Sequence, residues 1–262
     1  MSLRRLGATA GRVLRQIRRD PRTLALMLVV PCVLLGLLAW IYQQPGGGDQ
    51  TIAGKAGIYY GGDHRFDKVG APLLGVFPFV VMFLITSVAT LRERQSGTLE
   101  RLLTMPLGKG DLIGGYALAF GLLSALQAVV ATSVAVGLLG LDIAGSTGLL
   151  IVVAISVAVL GTALGLFVSA FARTEFQAVQ FMPAIVLPQF LLCGLIVPRD
   201  QLPGALSTIS DLLPLSYAVD AMRTLTTDAH SSASVLGDVG IVLAYVIVAV
   251  GLGAATLRRR TA

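Results

Sequence analysis

The feature that most constrains this chain is a set of six long stretches with no charged residue: 24–42, 71–91, 112–141, 143–172, 176–198 and 239–257. A helix crosses the roughly 30 Å hydrocarbon core of a bilayer with about 20 apolar residues, so each stretch is long enough to span. The third and fourth would each extend about 45 Å as continuous helix, so parts of them must tilt, kink or emerge. Only 13% of the residues are charged, against roughly 25% in a soluble domain, which leaves no room for a water-soluble domain. The expected fold is all-α and integral to the membrane, one domain over residues 1–262 with six transmembrane helices. The first stretch ends in Trp40-Ile41-Tyr42 without a small-x-small cleavage site, so it reads as a retained span and not as a signal peptide.

The net charge of +6 matters through its placement. With the N-terminus inside, the cytosolic segments hold Arg4, Arg5, Arg12, Arg15, Arg18, Arg19, Arg22, Arg92, Arg94, Arg101, Lys109, Arg173 and Arg258 to Arg260. The external ones hold Lys55, Arg65, Lys68, Arg199 and Arg223. That asymmetry predicts cytosolic N- and C-termini in a plasma (inner) membrane, and it makes lipid, not nucleic acid, the partner of the basic residues. In residues 1–22, Leu3, Leu6, Ala10, Val13, Leu14 and Ile17 recur at helical spacing among arginines, which predicts an amphipathic helix at the inner leaflet.

Several chemistries leave no trace. G-x-S-x-G is absent, and His64 and His230 both fall in external loops. Asp49, Asp63, His64 and Asp67 share a glycine-rich loop without ligand spacing. Cys32 and Cys193 sit inside apolar stretches, so no metal site is expected. No ionisable residue lies within a span, where a coupling ion or proton would need one. The polar groups there are mild: Gln127, Thr132, Ser133, Ser156, Thr162, Gln177, Gln180 and Gln189. A P-loop is also missing, so uphill transport would draw on ATP hydrolysed by another subunit, with no cofactor in this chain. Gly36, Gly121, Gly137, Gly161 and Gly165 are candidate close-packing positions, within one subunit or between two.

Two polar segments carry more information. In 199–235, Leu202, Ala205, Leu206, Ile209, Leu212 and Leu213 keep helical periodicity until Pro214 interrupts; Leu215, Ala218, Val219, Met222 and Leu225 then resume it. Neither half can span, so two short helices that dip into the outer leaflet and return are predicted. The cytosolic loop 92–111 opens Arg92-Glu93-Arg94-Gln95-Ser96-Gly97-Thr98-Leu99-Glu100-Arg101-Leu102-Leu103-Thr104-Met105-Pro106. It describes a short helix capped by Ser96 or Thr98, with Glu100 at the positive end of its dipole and Pro106 at its close. Leu99, Leu102 and Leu103 form a stripe suited to a groove on a cytosolic partner.

This loop resembles the cytosolic coupling segment of ABC-2 type exporter permeases, with the pattern R-E-R-x-x-G-T-[LI]-E-x-L-L-x-x-P. A second block, Pro198-Arg199-Asp200-Gln201-Leu202-Pro203 followed by Leu213-Pro214-Leu215-Ser216-Tyr217-Ala218-Val219-Asp220-Ala221-Met222-Arg223, resembles the external re-entrant segment of the same family. The resemblance implies a permease that pairs with a second, identical or related permease, while P-loop ATPase subunits carrying ATP and Mg dock on the cytosolic face. It places Glu93, Gly97, Thr98, Glu100, Leu102, Leu103 and Pro106 at the ATPase contact, and Pro198, Pro203, Pro214, Tyr217, Asp220 and Arg223 in the external segment. The implied activity is export of an amphipathic small molecule, drug or lipid, with no catalytic residue in this chain. Polysaccharide export, or a lipid-modifying enzyme using Asp63, His64 or Asp220, are the alternatives.

Overall fold

A computed structural model describes residues 3–43, 65–96, 109–229 and 232–256, and every regular element among them is helical. In chain order they are α1 (Leu3–Arg18), α2 (Pro21–Gln43), α3 (Arg65–Gln95), α4 (Lys109–Gly137), α5 (Thr147–Ser169), α6 (Glu175–Leu192), a 3-10 turn (Arg199–Gln201), α7 (Gly204–Asp211), α8 (Pro214–Thr227) and α9 (Ser232–Thr256). Five of them, α2, α3, α4, α5 and α9, are long and apolar enough to cross a membrane. Helix α6 is not among the five. Its 18 residues extend about 27 Å, and Gln177, Gln180, Gln189, Pro183 and Pro188 dilute its apolar surface.

The overlong stretches are shortened by emergence. Helix α4 stops at Gly137 and α5 begins at Thr147. Between them Gly140 turns the chain at φ +69°, a left-handed conformation that a Cβ disfavours. Asp20 and Pro21 set the break between α1 and α2. The Asp20 carboxylate accepts from the Thr23 amide at 3.2 Å and from its hydroxyl at 2.6 Å, while Pro21 supplies a first-turn residue that needs no donor. Those hydrogen bonds hold the Asp20 carboxyl below its usual range.

Helix α5 forms the centre of the bundle, packed on α3, α4 and α9. Its approach to α3 is close because it presents glycine: a Cβ on Gly161 would lie 2.3 Å from the Phe79 carbonyl oxygen, and one on Gly165 would lie 2.6 Å from that of Phe83. This is the small-xxx-small crossing of membrane helices. On its other side α5 meets α4 through a buried hydroxyl pair, Ser124 and Thr162, at 2.7 Å. Helix α1 lays Thr9, Ala10, Val13 and Ile17 into the bundle. The contact is tight at Gly115 of α4, where a Cβ would meet that of Thr9 at 2.5 Å.

Gln127 has a specific task. Pro31 lies inside α2 and has no N–H to give the carbonyl four residues earlier, which belongs to Met27. The Gln127 amide of α4 donates to that carbonyl at 2.9 Å, so a buried acceptor exposed by a proline is satisfied from the neighbouring helix. Gln127→Leu leaves the Met27 oxygen without a donor and should lower stability by about 1 kcal/mol, the scale of polar contacts between membrane helices. Pro31→Ala in the same background restores the backbone bond and should recover most of the loss in a detergent thermal-melt assay.

Candidate functional site

The end of the bundle where α3 finishes and α4 begins holds a set of polar contacts centred on the last turn of α3. Successive residues of a helix point about 100° apart, so four in a row face all round it. Arg92 forms a two-pronged ion pair with Glu175 at the start of α6, at 2.7 and 2.8 Å. Arg94 donates to the Ser169 carbonyl, placing a cation at the C-terminus of α5, where carbonyls lack helical partners and the dipole is negative. Gln95 donates to the Arg173 carbonyl at 2.8 Å.

Glu93 points the other way. It is only 7% exposed and accepts from Arg12 of α1 at 3.0 Å. The same Arg12 nitrogen donates to the Tyr116 hydroxyl of α4 at 2.6 Å, and the guanidinium lies 5.8 Å from the centre of the Tyr116 ring. Arg12 therefore ties α1 to both helices that flank residues 97–108. Of the residues placed at an ATPase contact by resemblance, Glu93 is turned into the bundle; Gly97, Thr98, Glu100, Leu102, Leu103 and Pro106 lie outside the described residues, as do Asp49, Asp63, His64 and His230. Nothing in the sequence distinguishes Arg12 from its neighbouring arginines, or singles out Tyr116 or Glu175. The one available signal was Glu93 itself, a carboxylate at the edge of a span that needs a cation from another helix.

At the opposite end, the 199–227 region forms the two short helices expected, broken around Leu212 and Leu213. Pro203 precedes α7, and Pro214 occupies the first turn of α8, where a missing N–H costs nothing. Pro198 leads into the 3-10 turn. Arg199 unites the segment by pairing with both Asp211 and Asp220, and it lies 5.6 Å from the centre of the Tyr217 ring. Tyr217 donates to the Asp211 carbonyl at 2.7 Å, Ser210 to the Leu192 carbonyl at 2.7 Å, and Tyr245 of α9 to the Leu212 carbonyl at 2.8 Å. Of the external residues named above, Tyr217 and Asp220 converge on Arg199. Arg223 lies beside Gly194, whose φ of +88° makes the turn that follows α6. The apolar face of α8 is buried by Leu215, Val219, Met222 and Leu225 against α9, α3 and α5, whereas Leu206 and Ile209 of α7, and Leu212 just after it, are exposed.

Burial pushes the Asp220 carboxyl above its usual range, and Arg199 opposes the shift. A carboxyl raised by folding binds its proton more tightly in the folded state. Its contribution to stability is then present at acid pH, below the unfolded value near 3.8, and is lost as pH rises through the folded value. Arg199→Ala removes the opposing charge. The variant should melt below the parent at neutral pH, and the gap should narrow as pH falls, read as the loss of monodisperse protein after heating.

These contacts hold helices against one another at both ends of an apolar bundle, the construction of a multi-pass membrane protein. The chain belongs to the ABC-2 type transporter family, whose family model matches residues 4–226. It is 27% identical over 169 residues to ABC transporter G family member 20 of Dictyostelium discoideum, covering 64% of this chain and 23% of that protein. It is 26% identical over 183 residues to the probable multidrug ABC transporter permease YbhS of Escherichia coli K12, covering 69% and 48%. Against the linearmycin resistance permease protein LnrN of Bacillus subtilis it is 24% identical over 181 residues, covering 69% and 47%. The matched part of the chain thus spans less than half the length of each of these relatives. Those named as permeases are transport components and not enzymes.

Proposed function

We propose that this chain is the transmembrane permease subunit of an ATP-driven exporter that moves an amphipathic small molecule, drug or lipid out of the cytosol or inner leaflet. The observation that carries this reading is the hub at the end of α3. Immediately before residues 97–108, the residues Arg92 to Gln95 fasten α3 to α1, α5, α6 and the turn between α5 and α6. A push on that segment reaches several helices together. The multidrug and linearmycin-resistance names of two relatives support the cargo class.

On this reading separate P-loop subunits bind ATP and Mg and dock on residues 97–108, with Gly97, Thr98, Glu100, Leu102, Leu103 and Pro106 in the contact. Glu93 braces that contact from behind. A second permease, identical or related, completes the pathway. ATP binding shifts the population from a cytosol-facing arrangement to an outward-facing one through rigid helix movements. The protein lies in the plasma membrane with both termini cytosolic, as the arginine asymmetry favours. The sixth crossing is α6 continued by residues 193–198, and the linked pair α7 and α8, including Pro198, Pro203, Pro214, Tyr217, Asp220 and Arg223, forms the external re-entrant segment.

The test is affinity purification from native membranes in mild detergent. A P-loop ATPase should be recovered with the chain and lost with Glu100→Lys, while the variant chain stays monodisperse. An intact chain recovered without any ATPase, under conditions that preserve a known complex of this kind, would overturn the reading.

A further inference from the structure

The apolar stripe of α1 is already occupied. Ala10, Val13 and Ile17 are buried in the bundle, so this helix cannot hold the membrane by inserting that face. Its other side is a row of arginines: Arg4, Arg5, Arg15 and Arg18, continued by Arg19 and Arg22, are all exposed. At about 100° per residue they share one side of the helix, opposite the buried stripe. Among the described residues, Arg4, Arg5, Arg18 and Arg19 make no ion pair, and Arg15 donates only to the Gly11 carbonyl of its own helix. Among the described residues, the acids at this end of the bundle are engaged or buried. Glu93 holds Arg12, Glu175 holds Arg92, Asp20 caps α2, and Asp111 is 5% exposed.

We infer that this arginine face binds the phosphate groups of anionic phospholipids, and so docks α1 on the inner leaflet by charge alone. Two observations favour lipid over a protein partner. The row runs into Arg22 in the first turn of α2, a helix apolar enough to span, and at helical spacing Arg22 shares one face of α2 with the exposed Leu26, Val29 and Val33. Guanidinium groups also match phosphate oxygens two at a time, and an anionic leaflet presents a field of them within a Debye length. The inference rests on the proposed cytosolic orientation of the N-terminus. It adds a lipid requirement to α1, the helix that Arg12 joins to α3 and α4.

The experiment is native mass spectrometry of the full chain released from bilayers of equal phosphatidylglycerol and phosphatidylcholine. The parent should retain phosphatidylglycerol in at least about fivefold preference, falling as salt is raised, because several basic groups act together at the surface. Combined Arg4→Gln, Arg5→Gln, Arg15→Gln and Arg18→Gln should abolish the preference. The same four positions changed to lysine should keep most of it, which separates loss of charge from loss of fold. Equal retention of both lipids by the parent, or an undiminished preference in the glutamine variant, overturns the inference. So does a parent without lipid preference whose glutamine variant loses ATPase recovery, since the face would then belong to the ATPase. Glu100→Lys distinguishes the two readings: it should lose the ATPase and keep the lipid preference.

Discussion

Gly161→Leu should remove nearly all correctly assembled protein from the membrane, with about a tenfold fall in the monodisperse peak of a tagged chain. The reason is the identity of the obstructing atom. A Cβ at this position meets the Phe79 carbonyl oxygen at 2.3 Å, with the Phe79 carbonyl carbon and Cα close behind at 3.0 and 3.1 Å. These are backbone atoms of α3 and cannot rotate away as a side chain would, so α3 and α5 must separate. Separation also releases Gly165 from Phe83 and opens the packing of Phe79, Phe83 and Leu160, all buried to within about 1% exposure. Overpacking alone costs about 1–3 kcal/mol in a core that can adjust, and a backbone obstruction at the central crossing lies beyond that range. Gly161→Ala should show the same defect in weaker form. Gly121→Leu is the control: nothing lies within 4 Å of a Cβ there, and that variant should accumulate like the parent.

The glycines show where sequence reasoning runs out. Gly36, Gly121, Gly137, Gly161 and Gly165 look alike in sequence, each a small residue in an apolar stretch. Among the described residues, Gly161 and Gly165 of these five meet another helix, and Gly36, Gly121 and Gly137 have nothing within 4 Å of a Cβ. Helical spacing identifies a face but not its partner. The same holds for Glu93, whose place at the end of a span was evident from the arginines around it. Its direction toward α1 depends on how α1 docks, and that depends on the Thr9–Gly115 approach, which no periodicity records. By contrast, the five long apolar helices were plain in the sequence, because the cost of burying charge in hydrocarbon leaves uninterrupted runs. So was the break at Pro214, which proline enforces locally. The stretch 176–198 was the exception. It has no charge, yet its helix ends at Leu192, since Gly194 in a left-handed conformation breaks the helix before Pro198. The connection of Gln127 to the carbonyl freed by Pro31 needed both helices in place.

On the proposed function, Glu93→Leu should uncouple transport without releasing the proposed ATPase partner, and here the hub at the end of α3 is tested most directly. The carboxylate is nearly buried, while Arg12 keeps 30% of its side-chain exposure. Losing the pair should therefore cost on the order of 2 kcal/mol, between the values typical of exposed and fully buried pairs. Arg12 retains its bond to Tyr116, so α1 should stay folded against α4. What disappears is the link from α1 to α3 immediately before residues 97–108. ATPase recovery should persist, because the residues proposed to touch the ATPase are unchanged, whereas export should fall about tenfold, the effect of withdrawing roughly 1.4 kcal/mol from a conformational equilibrium. Arg12→Glu combined with Glu93→Arg should restore part of the loss, and a double-mutant cycle on thermal stability should give a coupling energy near 1 kcal/mol or more. Were Glu93 instead a direct ATPase contact, Glu93→Leu would lose the ATPase as Glu100→Lys does, and the charge exchange would restore nothing. The two outcomes separate a brace behind the docking segment from a member of it, and the burial of Glu93 against Arg12 argues for the brace.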